Sequence, residues 1–252
     1  MKGNKQFLIH LAVPFFVGSL AILSEYSGLD VLIESYFFNS QTGSWPYKSL
    51  FITNEILHTG GRDLIVLLAA FNIIAIIMSF FVKSMRPYRK HLLFVLIASA
   101  TGLLIVNILK NTTHIYTPWS LNIFGGDKPY IRIFDAVPFG SSVGHAFPGG
   151  HSSGGFAVIS VYFVLFAMNN KYQHYGLVIP LILGICFSIT QEIRGAHFLS
   201  HDLFSLVICW VSSLVWLIIF YPGSLREKIY RQPWPAAGNE YQAKVVSDQQ
   251  RI

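Results

Sequence analysis

Residues 64–82 read LIVLLAAFNIIAIIMSFFV, an apolar run without a charged residue. Its length is close to the roughly 20 residues that an α-helix needs to cross the hydrocarbon core of a bilayer. A chain in lipid finds no water for its amide groups, so such a run must bond them internally as a helix. This stretch therefore predicts a transmembrane helix.

Six apolar runs near this length are spread along the chain: Phe7–Leu23, Leu64–Val82, Leu92–Leu109, Ser153–Met168, Tyr175–Ile189 and Leu203–Tyr221. The composition agrees with them, because the chain is 53% hydrophobic and 12% charged, whereas soluble domains carry about 25% charged residues. We therefore predict an all-α fold, that of a polytopic membrane protein with six transmembrane helices in one bundle.

The first run follows Lys2 and Lys5, as the apolar part of a signal peptide would. It is long for that role, and it ends in Ala21-Ile22-Leu23-Ser24-Glu25, which is not a small-residue cleavage site. We therefore expect the first run to be retained as a membrane span.

The charges between the runs predict the orientation. If the N-terminus lies inside, twelve of the 18 lysines and arginines lie inside and six lie outside, as the positive-inside rule requires. We expect cytoplasmic termini in a membrane such as the bacterial inner membrane. The net charge of +6 is scattered along the chain, which argues against nucleic acid as a partner.

The runs divide the chain into a six-span membrane domain, residues 1–221, and a polar cytoplasmic tail, residues 222–252. Three polar segments are predicted on the outer side: 25–61, 110–151 and 190–202. In the first of them, Leu29–Phe38 has the pattern of an amphipathic helix that lies at the membrane interface.

Two clusters of polar residues lie where outer segments meet predicted helix ends. Lys110 ends the third run, where a lysine either anchors the helix at the interface or binds an anion. Gly149-Gly150-His151-Ser152 leads into the fourth run. A glycine-rich turn at a helix N-terminus presents free N–H groups, so it is suited to an anion such as phosphate.

The third cluster contains Arg194, His197 and His201. On a helix, these residues would share one face, and an anion between them would relieve the repulsion of their charges. His197 and His201 also have a spacing that zinc sites use, but no third ligand stands beside them. We therefore expect no metal and no other cofactor.

In order and spacing, the three clusters resemble the signature of the type 2 phosphatidic acid phosphatase family. That signature is Lys-x6-Arg-Pro, then Pro-Ser-Gly-His, then Ser-Arg-x5-His-x3-Asp. The matching segments here are Lys110-x6-Thr117-Pro118, Pro148-Gly149-Gly150-His151 and the run from Gly195 to Asp202. The resemblance covers about residues 62–221 and implies the six-span bundle of the family's membrane members.

The chain departs from the signature at four places, as a divergent branch would, and one of them is Gly149, which replaces the serine of the second motif. Thr117 replaces the first arginine, and Arg132 in the same segment is a candidate to stand in for it. If His197 is the nucleophile, Gln191 occupies the position of the second arginine. The carboxylate position then holds His201, with Asp202 one residue further on. His201 is the alternative nucleophile, but Gly-Ala-His-Phe-x-Ser resembles the run around the family's nucleophile.

The resemblance implies a role for each matched residue. His197 would attack phosphorus and form a phosphohistidine, while His151 would protonate the leaving oxygen and then activate water. Either Asp202 or His201 would orient the attacking imidazole. The residues expected to bind the phosphoryl oxygens are Lys110, Arg194, Gly149, Gly150 and Arg132.

The function implied is that of a membrane lipid phosphatase acting at the outer leaflet. Its substrate would be an isoprenoid diphosphate, a phosphatidylglycerophosphate-type lipid or a lipid A-type glycolipid. Two alternatives remain open, namely a lipid phosphotransferase and a non-catalytic protein that binds or transports an anionic lipid. The expected partners are the lipid substrate and the surrounding membrane lipids.

Overall fold

The computed structural model describes residues 2–223, with side chains from Phe7 onward; most of the predicted tail, from residue 224, lies outside this range. Six helices within it are long and apolar enough to cross a membrane: Phe7–Ser27, Ile52–Phe81, Lys83–Lys110, Gly150–Ala167, Gln173–Ile193 and Leu199–Phe220. In the described part of the chain there is no strand, only isolated β-bridges. The predicted all-α, six-span fold is therefore confirmed.

The spans are built from α1 (Lys2–Ser27), α3 (Gly61–Phe81), α4 (Arg89–Lys110), α5 (Gly150–Ala157), α6 (Ser160–Ala167), α7 (Gln173–Ile193) and α8 (Leu199–Phe220), with a short α2 (Leu29–Ser35) after the first. A π-helix, Ile52–Gly60, runs directly into α3. The second span therefore begins well before the predicted Leu64. The reason is that three exposed apolar residues, Ile52, Ile56 and Leu57, extend the apolar surface of this span toward its N-terminus. The polar residues before Leu64 interrupt that surface only briefly.

Helix α8 forms the centre of the bundle and packs against α1, α4 and α5. Small residues allow the close approaches that helices in lipid use. Gly102 of α4 faces the Cα of Cys209 on α8, and a side chain on Gly155 would run into the backbone of Gly184 on α7. These contacts fix α4, α5, α7 and α8 against one another.

The fourth span is broken between α5 and α6, at Val158 and Ile159. The hydroxyl of Ser99 on α4 donates to the carbonyl of Ala157 at 2.8 Å and lies 2.9 Å from the hydroxyl of Ser160. A carbonyl released by a helix break inside a membrane needs such a partner. The side chain of one span thus satisfies the backbone of another.

Helix α2 confirms a helix over Leu29–Ser35, but its two acidic residues do not face water. Asp30 and Glu34 are both fully buried. The carboxylate of Asp30 accepts the N–H of Ser200 at 3.1 Å and the hydroxyls of Ser200 and Ser24 at 2.5 and 2.6 Å. Because Ser200 lies in the first turn of α8, Asp30 caps that helix from another segment.

Candidate active site

The predicted clusters meet at one end of the bundle. Lys110 ends α4, His151 lies in the first turn of α5, and His197 lies between α7 and α8. A Cβ atom on Gly150 would stand 3.2 Å from Nζ of Lys110. The charges of Lys110, His201 and His151 all act on His197. Three separate segments thus bring a lysine and three imidazoles together.

The connection from α7 to α8 differs from the helix expected there. Helix α7 ends at Ile193, Gly195 has a φ of +72°, and α8 begins only at Leu199. The ring of Trp45 packs where a Cβ atom on Gly195 would lie, so this turn requires glycine. The prediction that Arg194, His197 and His201 share one helix face is therefore wrong, because the turn at Gly195 interrupts the helix.

His197 is neutral in this environment. Its imidazole is only 4% exposed, and burial lowers its pKa well below the usual range. The charges of Lys110, His201 and His151 lower the pKa further, while the neighbouring Ala146 carbonyl raises it. A neutral imidazole keeps the lone pair that a nucleophile needs. Nδ1 of His197 has no hydrogen-bond partner in the described part of the chain.

His201 and Asp202 lie beside His197 but form no hydrogen bond with it. The rings of His201 and His197 are 6.0 Å apart between centroids, and the His201 ring meets the edges of Phe147 and Phe198. Oδ1 of Asp202 accepts the hydroxyl of Ser152 at 2.6 Å. The orienting bond that the resemblance implies is therefore not formed in this structure.

The N-terminus of α5 presents free donors. The N–H of Gly149 donates to the carbonyl of His201 at 3.1 Å, so it does not serve a ligand as expected. The N–H groups of Gly150, His151 and Ser152 have no partner within residues 2–223. These are the donors that the first turn of a helix leaves unpaired, and together with the helix dipole they favour an anion.

Gly149 also joins this turn to α8. Its carbonyl accepts the N–H of Ser153 at 3.2 Å and the hydroxyl of Ser205 at 2.8 Å. A Cβ atom on Gly149 would collide with the carboxylate of Asp202. Glycine at this position therefore lets the anion-binding turn lie directly on the helix that carries His201 and Asp202.

Sequence analysis did not identify His58 as a site residue. Its ring stacks on that of His151, with centroids 3.9 Å apart and planes 18° from parallel. Nε2 of His151 lies 3.1 Å from the His58 carbonyl, and Nε2 of Gln191 lies 3.0 Å from Nδ1 of His58. The only sequence signal was that His58 lies in a polar outer segment.

Arg194 is held by three acceptors. Its Nε donates to the Lys48 carbonyl at 3.2 Å, Nη1 to Oε1 of Gln191 at 3.3 Å and Nη2 to Oδ1 of Asn54 at 2.8 Å. A guanidinium has five N–H donors, so two remain for a ligand. Gln191, which occupies the position of the family's arginine, links Arg194 to His58.

Two other arginines of the predicted outer side, the candidate Arg132 and Arg62, have partners of their own. Arg132 donates to Asp135 at 2.9 Å through Nε and packs on the ring of Tyr26. These contacts give no support to Arg132 as the replacement for the arginine missing at Thr117. Arg62 pairs with Asp63 at 3.1 Å, is largely exposed and lines a cavity that also contains His151.

An apolar groove leads from this cavity into the membrane region of the bundle. The cavity beside His151 has a volume of about 170 Å³, and the groove beyond it about 270 Å³. Ile65, Leu103 and Gly154 line both, so the two spaces adjoin. The walls of the groove come from α3, α4 and the fourth span, and include Leu68, Val95, Ala157 and Val161.

No group of three or more His, Cys, Asp or Glu side chains within residues 2–223 is arranged to hold a metal ion. Several acidic residues near the site do lie close to one another. Glu34 faces Glu192, Asp202 and Asp30, and neither of its carboxylate oxygens has a hydrogen-bond partner in the described chain.

Replacing Glu34 with glutamine should stabilise the protein increasingly as the pH rises. Burial raises the pKa of Glu34 well above its usual value, and the charges of Glu192, Asp202 and Asp30 raise it further. A carboxyl group whose pKa is higher in the folded than in the unfolded state stabilises the folded protein at low pH. This stability is fully present below the unfolded-state pKa and is lost as the pH rises through the folded-state pKa. The glutamine variant cannot ionise and avoids this loss.

Thermal unfolding in detergent measures the effect. The difference in Tm between the Glu34→Gln variant and wild type should grow from about pH 5 to about pH 8. Asp127→Asn is the control, because the Asp127 side chain is 80% exposed and pairs only with Lys128. A difference that stays constant with pH would show that Glu34 does not carry the titration.

Comparison with family models places the site within a known superfamily. The model described as "PAP2 superfamily" matches residues 91–223, more than half of the 252-residue chain. Comparisons with curated proteins and with solved structures give no match. The matched region contains Lys110, His151 and His197, the last three spans and most of the third. The chain therefore belongs to the PAP2 superfamily.

Proposed function

We propose that the protein is a membrane phosphatase that hydrolyses a lipid phosphate or diphosphate through a phosphohistidine on His197. Membership of the PAP2 superfamily implies a phosphatase. The observation that carries the finer proposal is the convergence of Lys110, the free N–H groups of α5, His151 and a neutral His197 at one end of the bundle.

In the first step, the lone pair of a His197 nitrogen attacks phosphorus and forms a P–N bond. The P–O bond to the lipid breaks, and its electron pair leaves with the oxygen, which takes a proton from His151. In the second step, water attacks phosphorus and gives a proton to His151, while the P–N bond breaks and returns its electrons to His197. A lipid monophosphate thus gives the lipid alcohol and inorganic phosphate, and a lipid diphosphate gives the lipid monophosphate and inorganic phosphate.

Charge in the transition state spreads over the phosphoryl oxygens, so donors fixed around them provide most of the catalysis. In this proposal, Lys110 and the N–H groups of Gly150 and His151 bind these oxygens. The two remaining N–H groups of Arg194 are available to them as well. The His201 ring packs against that of His197, and the carboxyl group of Asp202 interacts electrostatically with Lys110.

The groove beside His151 supports a lipid as the substrate. A phosphate held at α5 would place its ester substituent at the opening lined by Ile65, Leu103 and Gly154. An alkyl or prenyl chain along the groove would bury its apolar surface against α3 and α4, which a soluble phosphate ester could not do. The positive-inside rule places this end of the bundle at the outer leaflet, and the bacterial inner membrane remains the proposed location.

Phosphate release from detergent-dispersed lipids tests the proposal. Purified protein should release inorganic phosphate from at least one of three substrates: a prenyl diphosphate, a phosphatidylglycerophosphate or a phosphorylated lipid A. The release should continue with a chelator present, because the proposed steps use only side chains and backbone donors.

The same assay separates the alternatives. Transfer of the label from the donor to an added acceptor lipid would identify a phosphotransferase. Saturable binding of these lipids without turnover would identify a binding or transport protein and overturn the phosphatase. Absence of both binding and turnover for all three lipid classes would contradict every form of the proposal.

A further inference from the structure

The contact between His58 and His151 defines which nitrogen of His151 carries a hydrogen. Nε2 of His151 lies 3.1 Å from the backbone carbonyl of His58. A carbonyl oxygen only accepts hydrogen bonds, so Nε2 must be the donor. In a neutral imidazole the other nitrogen, Nδ1, then carries the lone pair. The hydrogen bond that the His151 side chain forms with a described residue uses Nε2 and leaves Nδ1 available.

The side chain of His58 is fixed by a second set of contacts. Nη1 of Arg194 donates to Oε1 of Gln191, so the amide nitrogen of Gln191 is the atom that faces His58. That nitrogen only donates, and it lies 3.0 Å from Nδ1 of His58. Nδ1 of His58 is therefore an acceptor, and the ring of His58 is neutral with its hydrogen on Nε2.

The His58 ring also stacks on the imidazole of His151. The two rings lie 3.9 Å apart and nearly parallel, so the His58 ring covers one face of the His151 ring. The π-helix Ile52–Gly60 supplies both the carbonyl and the ring. Short π-helical segments occur frequently at functional sites. The imidazole of His151 therefore has little freedom to rotate.

We propose that His58 is a positioning residue for His151: its carbonyl holds Nε2–H and its ring fixes the imidazole plane, so that Nδ1 exchanges the proton with the substrate. This inference rests on the proposed phosphatase. Before the first step, Nδ1 takes a proton from solvent, so that the ring is a cation with hydrogens on both nitrogens. In the first step Nδ1–H gives this proton to the leaving oxygen as the P–O bond breaks. In the second step Nδ1 takes a proton from the attacking water.

Two substrates with the same apolar chain test this role. Dodecyl phosphate has a poor leaving group that needs a proton, whereas a nitrophenyl phosphate bearing a dodecyl chain releases a stable phenolate without one. The value of kcat/KM reports the steps up to departure of the alcohol. A residue that positions the proton donor should therefore affect dodecyl phosphate more than the aryl ester.

Three variants complete the experiment. His58→Ala should lower kcat/KM for dodecyl phosphate by about 10- to 100-fold, within the range of general acid catalysis, and for the aryl ester by less than about threefold. His58→Phe keeps a stacking ring and should restore most of the loss. His91→Phe is the control, because His91 also stacks on an aromatic ring, that of Tyr221. It lies about 28 Å from Lys110 along α4.

Equal losses on both substrates, or no loss on either, would overturn the positioning role. The nitrogen assignment is checked without turnover by ¹⁵N NMR of the histidine-labelled protein. The signal that disappears in His151→Ala should show a hydrogen on Nε2, and a hydrogen on Nδ1 of the neutral ring would contradict the inference. Failure of wild type to cleave these two esters and the three lipid phosphates named above, with the Nε2–H signal present, would instead reject the phosphatase itself.

Discussion

Replacing His197 with alanine is expected to lower the release of phosphate from a lipid phosphate by about four orders of magnitude or more. Removal of a catalytic nucleophile in a covalent mechanism causes losses of about 10⁴- to 10⁶-fold. His197 is neutral, buried and close to Lys110 and His151, and alanine provides no atom that can form the P–N bond. Initial rates with detergent-dispersed substrate measure the loss.

Reactions with ³²P-labelled substrate, quenched in alkaline detergent, show whether the label binds to the protein. Wild type should retain an acid-labile, base-stable phosphoryl group, and the His197→Ala variant should retain none. His174→Ala is a matched control, because His174 is an exposed histidine in the first turn of α7, at the opposite end of the bundle. Labelling that survives in His197→Ala but disappears in His201→Ala would make His201 the nucleophile.

Replacing Lys110 with methionine should lower kcat/KM by about 10²- to 10³-fold, the loss seen when one fixed donor to a transition-state oxyanion is removed. Methionine keeps the apolar stem of the side chain and removes only its charge. Nζ of Lys110 lies at the first turn of α5, where Gly150 and His151 present free N–H groups. The phosphoryl oxygens would therefore lose one of three neighbouring donors.

A second lysine provides the comparison for this prediction. Lys128 is partly exposed and pairs with Asp127 at 3.1 Å, so Lys128→Met should stay within about twofold of wild type because exposed ion pairs contribute little. A loss below about threefold in Lys110→Met would mean that Lys110 only anchors α4 at the membrane surface, and would remove it from the proposed mechanism.

The six spans could be predicted because lipid leaves the backbone few alternatives. Every apolar run of sufficient length must form a helix. The run from Phe7 lies within a helix, and so does the run from Leu64 as far as Phe81. Lys110 and His151 could be predicted as neighbours because each ends or begins a span. Their distance along the chain did not matter once the spans were arranged side by side.

The local geometry of the site could not be predicted from the same patterns. A helix through residues 194–201 satisfies the spacing of the charged residues, but the left-handed backbone at Gly195 depends on the position of Trp45, far away in the chain. The use of the Gly149 N–H by His201, and the stacking of His58 on His151, likewise depend on packing between segments. Periodicity carries no information about such contacts.

The break in the fourth span determines how precisely the two sides of the site are aligned in height. Lys110 is eleven residues beyond Ser99 on α4, and His151 is six residues before Ala157 on α5. The bond from Ser99 to Ala157 joins the middle of α4 to the C-terminal end of α5. If α4 and α5 were displaced along each other by one residue, the side chains of Lys110 and His151 would shift relative to each other by about 1.5 Å. The hydroxyl of Ser99, in the apolar interior of the bundle, thus fixes the relative heights of Lys110 and His151 at the end of the bundle.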